Sequence, residues 1–193
     1  MTDTPDWRSL DKDLARLTQV ERVAGYVVRP LLGLGLALAF MALAGLATAL
    51  VLGTSPTTVM VAIAAVFGAY LALTIGANDV ANNMGPAVGA KALPMGVALL
   101  AAALAEITGA LFGGSEVVAT VSRRLIDPAS VADPAVLVQA MMAAMMASAL
   151  WVNLATWLGA PVSTTQTIIG AIVGAATAAV GFGAGDWLTF GGI

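Results

Sequence analysis

Long apolar stretches, separated by short polar punctuation, constrain this chain more than any other feature. Residues 31–52 carry no charge, and they match the run of about 20 apolar residues that a helix needs to cross a bilayer. Further apolar runs occupy residues 59–75, 93–112, 135–158 and 168–180. A soluble domain carries roughly 25% charged residues, whereas this chain has 10% charged and 60% hydrophobic residues. The charges are also segregated. Arg8, Lys12, Arg16, Arg22, Arg29, Asp3, Asp6, Asp11, Asp13 and Glu21 all precede Pro30, and only nine charged groups follow. This pattern excludes a water-soluble enzyme domain, a basic nucleic-acid-binding face and a disulfide-stapled secreted module. The expected class is an all-α integral membrane protein. With no Cys and no His, thiol chemistry, zinc sites and histidine relays are excluded as well.

Within the polar tail, residues 1–30, Trp7, Leu10, Leu14, Leu17 and Ala24 recur at spacings of three and four behind a Thr4-Pro5 start. That spacing predicts a short interfacial helix, the alternative being a disordered tail. Arg16, Arg22 and Arg29 flank the first apolar run and favour a cytoplasmic N-terminus. The run lacks a small-residue cleavage site, so it is expected to stay attached as a helix. After Gly53-Thr54-Ser55-Pro56, the second run stops at Gly76-Ala77-Asn78-Asp79-Val80-Ala81-Asn82-Asn83-Met84-Gly85-Pro86, read as a break in the helix. The third run holds Glu106, and residues 113–134 read as a polar loop. The fourth holds Gln139 and Asn153 and ends in the interface-favouring residues Trp151 and Trp157. The fifth is too short to cross alone at 1.5 Å per residue and reads as half of a broken helix or hairpin. About five membrane segments result.

The polar interruptions are where chemistry is expected, because lipid leaves non-helical backbone unsatisfied unless protein, water or a ligand pairs it. If one helical turn persists through residues 76–86, Asn78 and Asn82 share a face, with Asp79 and Asn83 beside them. The alternative is a surface loop capped by Asx turns. Glu106 sits mid-run, where an acid costs on the order of 2.5 kcal/mol or more. It needs a partner or a water-filled cavity, or it stays protonated against a neighbouring helix. In Pro161-Val162-Ser163-Thr164-Thr165-Gln166-Thr167, four hydroxyls and an amide follow a proline. This suits a helix start whose free N–H groups hold an anion, and equally an ordinary Ser/Thr cap. An anion near Asp79 and Glu106 would be repelled unless sodium or protons neutralised the acids, and either amounts to cation-coupled anion transport. Met141, Met142, Met145 and Met146 read as packing or lipid-facing residues. The pairs Gly109 with Gly113 and Gly170 with Gly174 read as close-approach sites for neighbouring helices.

At these residues the sequence resembles the inorganic phosphate transporter (PiT) family of secondary transporters. Gly76-Ala77-Asn78-Asp79-Val80-Ala81-Asn82 matches the family's signature, and Pro161-Val162-Ser163-Thr164-Thr165 matches its second motif. Glu106-Ile107-Thr108-Gly109-Ala110 resembles the setting of an acid in the next helix, and Gly114-Ser115-Glu116-Val117 resembles a further stretch. The resemblance covers roughly residues 60–180. It implies a phosphate symporter driven by Na+ or H+, built from two inverted repeats with the site at their interface. It implies Asn78, Asp79, Asn82, Ser163, Thr164 and Thr165 as substrate and ion ligands, with sodium held by Asn78, Asp79, Asn82, Ser163 and Thr165; the polar neighbours Asn83 and Gln166 join them as candidates for the same site. Glu106 would be the coupling acid. No catalytic residue and no cofactor beyond the coupling ion are expected.

Three departures from the family pattern matter. Gln166 stands where the family commonly has His, so that position does not titrate. Residues 31–52 form an extra helix ahead of the family core, residues 57–180. Each motif occurs once, so residues 181–193 read as a truncated end and the second repeat is expected from a longer chain or from a second copy in a homo-oligomer. The expected setting is a multi-pass protein of a bacterial inner membrane, with phosphate and lipid as partners and no nucleic acid. A sulfate permease of the same fold and a non-transporting half-length subunit or anion sensor are the alternatives. A membrane-embedded enzyme is weakest, since Ser163 has no nearby base in sequence.

Overall fold

The computed structural model describes residues 31–53, 55–124 and 133–181. The expected interfacial helix of the tail, residues 125–132 of the expected 113–134 loop and nearly all of the expected truncated end lie outside the described residues. Five α-helices and no strands appear among the described residues: α1 (Leu31–Leu52), α2 (Pro56–Gly89), α3 (Met95–Arg124), α4 (Pro134–Trp157) and α5 (Thr164–Val180). The first four contain stretches long and apolar enough to cross a membrane, and the fifth is a shorter apolar helix.

The starts of α2 and α4 are encoded locally. Ser55 caps α2 by accepting the Thr58 N–H at 3.1 Å, and Pro56 follows where a missing N–H costs nothing. Thr58 then donates to the Leu52 carbonyl at 3.3 Å, tying the end of α1 to the start of α2 across Gly53, whose φ of 80° glycine adopts without strain. Asp133 and Pro134 repeat the device on α4, with Asp133 accepting the Ala135 N–H at 2.8 Å.

The ends of α2 and α4 share one geometry. The Ala92 N–H reaches the Ala87 carbonyl and the Lys91 N–H reaches Val88, with Lys91 left-handed at φ 58°. The Ala160 N–H reaches Ala155 and the Gly159 N–H reaches Thr156, with Gly159 at φ 67°. Both are Schellman closures, which satisfy the last carbonyls of a helix.

Two boundaries differ from the sequence expectation. Residues 76–86 do not break the helix: α2 runs unbroken through Asn78, Asp79 and Asn82, with Pro86 inside it. In an apolar surrounding every unpaired backbone group is costly, so the helical bonds outweigh the preference of Asn and Asp for turns. The loop expected from residue 113 is likewise helical, because α3 continues to Arg124.

Packing centres on α4, which contacts both α2 and α5, while α3 packs on α2. The buried side chains are mostly small: Ala69, Ala140, Ala144, Ala149, Val152, Ala155 and Ala176. Without a hydrophobic drive inside lipid, small residues gain contact by letting backbones approach. Met141 packs against the Ala144, Ile172 and Ala176 cluster, in line with its packing reading. The close-approach reading of the paired glycines is not met within the described residues. A methyl group on Gly109, Gly113, Gly170 or Gly174 would meet no atom within 4 Å, whereas one on Gly45 would lie 2.8 Å from Val66 Cγ2. Gly45 therefore marks a close approach of α1 to α2.

Candidate functional site

The unbroken α2 brings Asn78 and Asn82 onto one face, and the Asn82 Nδ2 donates to Asn78 Oδ1 at 2.9 Å. Asn78 is 4% exposed and donates from its own Nδ2 to Thr156 Oγ1 on α4 at 3.1 Å. Thr156 in turn donates to the Val152 carbonyl at 2.8 Å. Asn82 also lies 3.5 Å from the Val162 carbonyl in the α4–α5 connection. A second tie between α2 and α4 joins Asn153 Nδ2 to the Tyr70 hydroxyl at 2.6 Å.

The chain leaves α4 at Gly159, turns through Pro161 and enters α5 at Thr164. Ser163 is the cap: its Oγ accepts the Gln166 N–H at 3.3 Å, and its carbonyl accepts the Thr167 N–H and hydroxyl. The amides of Thr164 and Thr165 precede the first intrahelical bond, so the start of α5 keeps uncommitted donors and its positive dipole end.

Asp79 sits at that helix start. The Thr164 hydroxyl lies 3.1 Å from its Oδ2 and 3.4 Å from its Oδ1. Asp79 is half-buried and makes no ion pair among the described residues. A carboxylate beside a helix N-terminus is favoured by the dipole. It also competes there with any incoming anion, unless a cation or a proton neutralises it.

The expected ligands thus divide. Asn78, Asp79, Asn82, Ser163 and Thr164 gather where α2 meets the start of α5. Asn83 and Thr165 are exposed and make no side-chain hydrogen bond within the described residues. Gln166 opens on a different cavity, of about 280 Å³, with Ser148, Trp151 and Thr167. Glu106 is exposed and lines a cavity of about 420 Å³ between Phe40 of α1, Gly76, Ala77 and Val80 of α2, and Leu99 and Ala103 of α3. None of the residues of the Asp79 cluster lines that cavity. Thr156 and the Val162 carbonyl escape sequence reasoning. A threonine bonded four residues back is ordinary in an apolar helix, and a backbone oxygen leaves no mark on the sequence.

Fold and site together define a multi-helix membrane protein with one carboxylate, two carboxamides and a hydroxyl-rich helix start assembled between its helices. Residues 75–193 match the model of the phosphate transporter family. The chain is 41% identical over 182 residues to a Helicobacter pylori protein carrying the name phosphate permease, covering 94% of this chain and 34% of that protein. It is 43% identical over 122 residues to a Thermococcus kodakarensis protein of the same name, covering 63% of this chain and 30% of that protein. The solved structure of a protein described as "The sodium-dependent phosphate transporter" superposes with a TM-score of 0.64 at 39% identity, covering 68% of this chain and 32% of that one. The chain belongs to the phosphate transporter family. It spans about a third of the length of the H. pylori relative.

Proposed function

We propose that these residues supply one repeat of a phosphate transporter in which sodium enters with the anion. The observation that carries the reading is the hydrogen bond between Asp79 on α2 and Thr164 at the first turn of α5. It sets an acid against the helix terminus best suited to hold phosphate. A cation shared by Asp79, Asn78, Asn82 and the Ser163–Thr165 oxygens would cancel the acid's repulsion and leave the α5 amides to the phosphate. Sodium over protons is supported by the sodium dependence ascribed to the solved relative and by Gln166, which has no proton to take up where the family commonly has His. Glu106, on its own cavity, is the second acid at which charge is neutralised during the cycle. The second half of the site comes from a further repeat, in a longer chain or a second copy. The Helicobacter pylori relative supports a bacterial inner membrane as the setting.

Radiolabelled phosphate uptake into proteoliposomes tests this, with the 193-residue chain and the full reading frame that contains it compared under sodium or proton gradients. Sodium-driven uptake by the longer protein, resistant to excess sulfate, is expected. Asp79→Asn is expected to lower it at least about 100-fold, the scale of losing a charge partner in a low-dielectric site. Intact, still cation-dependent uptake by Asp79→Asn would overturn the reading. Uptake by the short chain would assign the missing half to a second copy.

A further inference from the structure

Thr156 lies outside both motifs, yet the polarity of the Asn78–Asn82 pair depends on it. A threonine hydroxyl has one proton to give. Thr156 gives it to the Val152 carbonyl at 2.8 Å, so towards Asn78 it only accepts. Asn78 must therefore turn its Nδ2 to Thr156 and its Oδ1 to Asn82. Asn82 must answer with its own Nδ2, which also faces the Val162 carbonyl. One group is left over. The Asn82 Oδ1, on an exposed side chain three residues from Asp79 on the same helix, has no donor among the described residues. An uncommitted carbonyl oxygen beside a carboxylate is the hard oxygen environment that suits a small cation.

We infer that Thr156 is a positioning residue which, by fixing the amide orientation of Asn78, makes Asn82 present an oxygen to the cation; this rests on reading the Asp79 cluster as a cation site. Without the hydroxyl, Asn78 is free to turn over and offer Nδ2 to Asn82. Asn82 then turns its Oδ1 inward and its NH₂ outward, giving up only the long 3.5 Å approach of its Nδ2 to the Val162 carbonyl. The outward group changes from acceptor to donor, which repels a cation.

The test is sodium-dependent phosphate uptake by the full reading frame in proteoliposomes. Thr156→Val, which removes the hydroxyl at nearly constant shape, is expected to raise the half-saturating sodium concentration about three- to tenfold, the worth of one neutral hydrogen bond. The phosphate KM at saturating sodium is expected to stay unchanged, and Thr156→Ser to restore sodium affinity. In an Asn78→Ala background, Thr156→Val is expected to have no further effect. Should Thr156→Val not reach the liposome, Thr156→Ala carries the same comparison against Thr156→Ser. An unmoved sodium response in a sodium-dependent wild type overturns this inference alone, as does a parallel rise in phosphate KM without rescue by serine. Wild-type uptake indifferent both to sodium and to Asp79→Asn overturns the cation-site reading, and this inference with it.

Discussion

Two stretches of the chain look alike in sequence and fold differently. Residues 76–86 and 160–167 are both short, polar and proline-containing, and both interrupt apolar runs. The first remains inside α2, whereas the second parts α4 from α5. Polarity does not decide the outcome. Asn78 and Asn82 keep their helical backbone and pair their side chains with each other and, through Asn78, with α4. The break is made by backbone handedness. Gly159 takes a left-handed conformation that closes α4 on itself, Pro161 follows where it cannot extend a helix, and Ser163 restarts one. Pro86 has no left-handed residue ahead of it, and its missing N–H is borne three residues before α2 ends.

This contrast is open to direct attack. Its largest expected effect is at Gly159, where a β-branched side chain must sit at φ 67°. Gly159→Val is expected to destabilise the detergent-solubilised protein by about 2 kcal/mol or more, read as a lower midpoint in thermal or SDS unfolding. A neutral result would mean that the break does not rest on that conformation. A smaller change of opposite sign is expected at Gly76. A methyl group there meets no atom within 4 Å, and the residue is mid-helix. Gly76→Ala should therefore raise stability by about 0.5–1 kcal/mol in the same measurement, whereas a loss would show that the stretch needs a conformation only glycine reaches. The smallest effect is at the end of α2, where Lys91 holds the left-handed position that Gly159 holds on α4. Lys91→Gly is expected to gain a few tenths of a kcal/mol, since glycine relieves the strain but costs more entropy on folding. No gain would separate the two closures.

The sequence made some of this legible and hid the rest for physical reasons. The i, i+4 spacing of Asn78 and Asn82 was enough to place them on one face, and the Pro-x-Ser pattern was enough to start α5 at a hydroxyl cap. The continuity of α2 was hidden because Asn, Asp and Gly carry turn propensities that hold in water and yield to backbone pairing in lipid. The separation of Glu106 from Asp79 was hidden too. Both are acids in apolar company, and only the packing of α3 on α2 shows that Glu106 faces Gly76, Ala77 and Val80 instead of the start of α5.

The unbroken α2 has a consequence for depth. Its 34 residues measure about 51 Å at 1.5 Å per residue, against a hydrocarbon slab of about 30 Å. Even at about 40°, the steep end of observed tilts, such a rod spans about 39 Å of the bilayer normal. One end has to leave the slab or run along a watery crevice, and the end carrying Asn78, Asp79, Asn82 and Asn83 is the one whose side chains gain by it. Sheer length then brings that polar end of α2 towards the edge of the slab. On the proposed reading, an ion would meet Asp79 beside an intact helix, because α2 is continuous there.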